Sequence, residues 1–153
     1  MSLQPVPVDG WSKKLVHGCA LWLNDAGVVE FVLGSRLTGA RPGLHTDGLP
    51  PAPDRAVSLS LYAVDEDPGL SDVVVGLQTI SRGAPGDRWQ AIDLDDALFV
   101  ALEGAHDLVW GGIPIVLVQR RSGTSLGQDG NRRWEQVSNY WVTTTRPTPN
   151  RVD

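Results

Sequence analysis

Cysteine is almost absent: Cys19 is the one cysteine in 153 residues, so no disulfide within the chain can hold the fold. No apolar run approaches the ~20 residues that a membrane-spanning helix needs. The opening stretch Met1-Ser2-Leu3-Gln4-Pro5-Val6-Pro7 also lacks the basic and apolar regions of a signal peptide. The expectation is a chain made and kept in a cytoplasm-like compartment, with no membrane partner. Glycine patterns that cradle phosphates, of the P-loop or dinucleotide type, are missing too. His17 and Cys19 stand two apart in a segment with helical period, where side chains diverge by ~200°. No second cluster of ligating residues accompanies them, and no metal or cofactor is expected.

What is present describes an ordinary globular domain. Hydrophobic residues make up 41% and charged residues 20%. A chain of this length buries about 70% of its extended surface, so an apolar core needs no staples. Seventeen glycines and eleven prolines announce long loops.

The net charge of −5 hides an uneven distribution. Residues 1–64 carry five acids and five bases, 65–107 ten acids and two arginines, and 108–153 three acids and six arginines. An acidic middle and a basic end suit contact with another copy of the chain better than wrapping of nucleic acid.

Leu15, Cys19, Trp22, Leu23 and Ala26 form a stripe of helical period, which predicts a first helix within 9–27, capped by Asp9 and stopped by Gly27. Residues 28–55 read as a loop-rich segment. Alternation over Ala56–Val64 and Ser71–Ser81 predicts two strands paired as an antiparallel hairpin. Leu94, Ala97, Leu98, Ala101 and Leu102 predict a second helix with Asp93 as N-cap and Asp95 and Asp96 in its first turn. Ile113–Gln119 and Trp134–Thr145 read as two more strands, separated by a loop over 120–133, and 148–153 as a tail. The expected fold is one α+β domain over 1–153: a four-stranded sheet with two helices on one face, in the order helix-strand-strand-helix-strand-strand.

Gly123-Thr124-Ser125-Leu126-Gly127 matches the spacing of a nucleophile elbow. The elbow requires a histidine downstream, yet His17, His45 and His106 all precede Ser125, so a small hydrolase is only a remote alternative. Asp95 and Asp96 as a catalytic pair fail for a similar reason, because adjacent helix positions diverge. Arg120-Arg121 and Arg132-Arg133, with Trp134 beside them, invite a nucleic-acid-binding module. Against that, the whole chain is acidic, with a pI near 5.0. Arginines meeting carboxylates of a protein partner are the better use, and no catalytic residue is expected.

An ordered set of stretches carries a family resemblance: Asp65-Glu66-Asp67-Pro68-Gly69-Leu70-Ser71-Asp72, Gln78-Thr79-Ile80-Ser81-Arg82-Gly83, Gly127-Gln128-Asp129-Gly130-Asn131-Arg132-Arg133-Trp134, Ser138-Asn139-Tyr140 and Arg146-Pro147-Thr148-Pro149-Asn150-Arg151. Over residues 54–151 the chain resembles the tail terminator proteins of long-tailed bacteriophages, also described as minor tail or minor capsid proteins. Residues 34–53 carry no part of the likeness. The resemblance implies a non-enzymatic virion protein at the tail–neck junction, made in the bacterial host cytoplasm. It further implies a homo-hexameric ring on the head-proximal end of the tail tube, which stops polymerisation of the major tail tube protein and meets the head-completion or connector proteins. Genome DNA would pass through such a ring without sequence-specific binding. A head-closure or connector protein of the neck is the alternative within the same class.

A closed ring of identical subunits needs two unlike, complementary patches on each. The candidate patches are Asp65, Glu66, Asp67 and Asp72 in the first hairpin turn against Arg82, Arg120, Arg121, Arg132 and Arg133, with Trp134 as the nearest aromatic centre.

Overall fold

The computed structural model describes residues 9–33 and 36–151. Helix α1 (Trp11–Asp25) is followed by strands β1 (Gly43–His45), β2 (Ala56–Glu66) and β3 (Asp72–Pro85), then helix α2 (Arg88–Leu102) and strands β4 (His106–Trp110), β5 (Ile113–Gln128) and β6 (Arg133–Thr145). The strands form one curled, half-barrel sheet of six, in the order β1-β2-β3-β6-β5-β4. The expected four-stranded architecture is therefore incorrect. Its four strands are the central ones, and two short edge strands were not foreseen. β1 has only three residues, lies in the Gly- and Pro-rich segment, and pairs parallel to β2, so it has neither the length nor the alternation that marks a strand. β4 begins His106-Asp107, with Asp107 at φ 51, and depends on antiparallel pairing with β5 rather than on its own propensity.

The N-cap of helix α1 is Gly10 rather than the expected Asp9; Asp9 instead pairs with Lys13 at 2.8 Å. Its buried face is Leu15, Cys19, Ala20 and Leu23. Gly18 explains its place in mid-helix by contact: an added Cβ would lie 2.3 Å from Gly111 N and 2.5 Å from Trp110 C. The α1 backbone thus rests on the turn between β4 and β5.

The second helix starts six residues earlier than its apolar repeat suggests, because Asp87 caps it by accepting from Gln90 N at 3.1 Å. Asp93 is consequently inside the helix, and Asp95 and Asp96 are not in its first turn. Leu94, Leu98 and Leu102 are buried against the sheet as the period requires, and Asp95 is buried beside them. Both helices contribute to one continuous core with Val57, Leu59, Val75, Leu77, Tyr140 and Val142. The opposite face of the sheet is polar and aromatic. There Tyr62 Oη and Gln78 Nε2 both donate to Asn139 Oδ1 at 3.2 Å, and Asn139 Nδ2 donates to Ser122 Oγ at 3.1 Å.

The segment expected as a long loop over 120–133 is a β-hairpin. β5 runs on to Gln128, and a tight turn over 129–132 leads into β6. Asp129 Oδ1 makes the turn by accepting from the backbone N of Asn131 and of Arg133, each at 2.9 Å. The glycines and polar residues that read as a loop are the exposed half of a long strand.

Candidate functional site

The structure separates the candidate residues into three sets. Asp65 and Glu66 end β2, Asp67 lies in the turn, and Asp72 opens β3; all four are exposed. Asp67 Oδ1 shapes the turn by accepting from Gly69 N at 2.8 Å. Glu66 lies 4.0 Å from Arg146 Nη1 and 4.0 Å from Arg151 Nη2, a loose tie to the end of the chain.

Arg82 and Arg133 form the second set, and they are buried. Arg82 donates to the carbonyl oxygens of Asp54 (2.8 Å), Pro50 (2.7 Å) and Pro53 (2.8 Å). Arg133 donates to Asp129 Oδ2 and to Pro51 O, both at 2.8 Å, and lies 3.3 Å from Asp54 Oδ1. These two guanidinium groups fasten the proline loop to the sheet. A proline-rich loop offers carbonyls but few N–H groups, and a buried arginine supplies the missing donors. Their bonds are spent inside the subunit, so neither side chain stands free to meet a neighbour.

The third set is Arg120, Arg121, Arg132 and Trp134, which the structure does not cluster. Arg120 pairs with Tyr140 and Gln128 with Trp134, so Arg120 and Trp134 lie roughly 20 Å apart along the hairpin at ~3.3 Å per residue. Arg120 lies over the Phe99 ring at 4.2 Å and Arg121 over the Trp141 ring at 4.3 Å. The cation beside Trp134 is Arg88, at 5.4 Å from the ring centroid. Arg132 sits exposed in the turn at φ 60. The acidic turn and this arginine turn occupy opposite ends of the sheet, as the pairings Asp72 with Thr145 and Pro85 with Arg133 require.

Ser125 lies within β5 rather than at a strand-to-helix turn. Its Oγ accepts from Gly127 N at 3.1 Å. Of the histidines, His17 is in α1, His45 in β1, and His106 is held in β4 by an Nδ1 contact of 2.9 Å with Gly104 O. Among the described residues no group of His, Cys, Asp or Glu is placed to hold a metal ion. Cys19 is buried in the core, and burial pushes its thiol well above the ordinary range.

Sequence reasoning missed two features. One is the buried polar contact between α2 and β6, where Ser138 Oγ donates to Asp95 Oδ1 at 2.8 Å and Arg120 Nη1 is 4.0 Å from Asp95 Oδ2. Burial raises the Asp95 pKa; the Ser138 bond and the Arg120 charge oppose that rise. An acid next to Leu94 and two residues after Asp93 imitates a first-turn acid, and only the true helix start reveals it as interior. The other is the bare outer side of β5 and of β2, visible only once the edge strands are placed. The chain matches no protein-family model and no curated protein.

Proposed function

We propose that this protein is a structural ring subunit of the tail terminator kind, capping the head-proximal end of a phage tail tube and joining it to head-completion proteins. In this reading it acts without catalysis or cofactor, and its partners are copies of itself, the tail tube protein and the neck proteins, with DNA passing through the ring. The observation that carries the reading is the two-sided charge layout. Exposed Asp65, Asp67 and Asp72 sit at one end of the sheet near β2, while Arg120 and Arg121 lie on β5, toward the other lateral edge. Unlike patches on different sides of one subunit are what heterologous, ring-closing contact requires. Opposite charge across such a contact sets register and speeds encounter. The ordered sequence likeness over 54–151 supports the choice of this family.

Light scattering of the purified protein tests this. The expected result is one discrete multimer whose formation weakens as salt rises. A monomer at every concentration and ionic strength would contradict it. A connector ring of the neck would also form multimers, and binding to tail tubes separates the two.

A further inference from the structure

The ring reading leaves open how one subunit grips the next, and the two lateral edges of the sheet answer it. β1 covers β2 only over Ala56–Ser58, so among the described residues no strand pairs with the outer side of Leu59–Glu66. On the other edge β4 covers β5 as far as Leu117. Loop contacts extend this cover, Val118 N to Ala105 O (2.8 Å) and Arg120 N to Glu103 Oε2 (2.8 Å). From Arg121 to Gln128, among the described residues, the outer side of β5 has no strand beside it. Each edge is thus bare over eight residues. A bare edge is a row of backbone donors and acceptors that templates pairing with another strand.

We propose that the ring closes by sheet extension: the bare edge of β5 in one subunit pairs antiparallel with the bare edge of β2 in the next copy. This inference rests on the ring reading and gives it a contact. Three observations on the two edges support it. Their directions suit, because β2, β3, β6 and β5 alternate by successive antiparallel pairings, so β2 and β5 run oppositely. Rotation about an axis along the strands preserves that, and the neighbours meet antiparallel.

Their charges also match in register. Full antiparallel overlap of Leu59–Glu66 with Arg121–Gln128 sets Glu66 opposite Arg121, Asp65 opposite Ser122 and next to Arg121, and Leu61 opposite the half-exposed Leu126. The offset is reasonable as well. Within one sheet Glu66 is level with Val73, Thr144 and Ile115, so pairing Glu66 with Arg121 shifts the neighbour along the strands. A shift of about five residues, ~16 Å, across the four strands from β2 to β5, ~19 Å per subunit, tilts the strands roughly 40° from the ring axis, within the ~35–45° of closed barrels.

The competing interpretation is that the bulges near Arg121 and Leu126, with the arginines, only shield this edge from association. Crosslinking decides between them. Glu66→Cys and Arg121→Cys are made as separate single variants, mixed, and treated with a short thiol-to-thiol crosslinker, in the presence of tail tubes if rings need them. Cys19 is buried and stays silent. Within one chain the two positions lie ~20 Å apart, across three strand spacings of ~4.8 Å and the offset along the strands, so the reagent cannot bridge them internally. The expected result is a crosslinked dimer only in the mixture, and a ladder of multimers from the double variant. Rings without this crosslink overturn sheet extension while leaving the ring reading intact. Monomers throughout, with and without tubes, overturn both. Reversing both charges, Asp65→Arg with Arg121→Glu, whose side chains lie on the same face of the sheet, should restore the ring population that either reversal alone loses; a double variant as impaired as the singles overturns the register.

Discussion

Ser138 Oγ on β6 donates to Asp95 Oδ1 on α2 at 2.8 Å, and both side chains are buried at the helix–sheet contact. A carboxylate there has lost its water and gains one hydroxyl donor and a distant arginine, which is why burial dominates and its pKa is raised. In the unfolded chain the group titrates in the ordinary carboxylate range, near ~3.9. Between that value and the higher folded pKa the native state holds the extra proton, so the stability this group confers is fullest at low pH and is lost as pH rises through the window. Asp95→Asn keeps an acceptor for Ser138 and removes the charge. The variant should melt higher than the parent at neutral pH and show a flatter stability profile across the window. Thermal melts at a series of pH values check this, and identical profiles would contradict it.

Arg82 supplies three hydrogen bonds to a loop that has few other anchors. Arg82→Ala leaves the carbonyls of Pro50, Pro53 and Asp54 without their donor, at a cost of about 3–5 kcal/mol. Limited proteolysis should then cut within residues 46–55, where the parent resists. An unchanged digestion pattern would show the loop is held by other contacts.

Leu98 is fully buried between α2 and the sheet. Leu98→Ala should cost about 2–5 kcal/mol by leaving a cavity, read by urea unfolding. A midpoint equal to the parent's would mean that α2 packs differently.

Gly18 in mid-helix looks like a defect, since Ala raises helix propensity by ~1 kcal/mol. The close approach of the turn at Trp110-Gly111 reverses the sign. Gly18→Ala should destabilise by about 1–3 kcal/mol overall, because the added Cβ meets backbone that cannot step aside. A more stable variant would show that α1 lies farther from the turn.

Periodicity found the parts of this fold that carry their own signal. Leu94, Leu98 and Leu102 marked the second helix, and the alternation of Val57, Leu59 and Leu61 marked β2. What stayed hidden depends on pairing rather than on composition. β1 is a strand because Gly43, Leu44 and His45 lie along Ala56, Val57 and Ser58, and nothing in Gly-Leu-His says so. The far half of β5 read as a loop because Ser122, Gly123, Ser125 and Gly127 are small and polar, and its partner Trp134–Asn139 makes it a strand. The arginines misled for a related reason. Sequence shows four bases around one segment, whereas the hairpin spreads Arg120 from Arg132 and burial takes Arg133 and Arg82 inward. The acidic turn kept its exposed position because turn chemistry is local.

The proposed capping of a tail tube is tested most directly at the tube's end. Electron microscopy of the purified chain, alone and mixed with tail tubes of a long-tailed phage, would show this. The predicted result is rings seated on one end of each tube, with tubes so capped no longer growing. Tubes that stay open-ended and keep growing beside a dispersed monomer would contradict it.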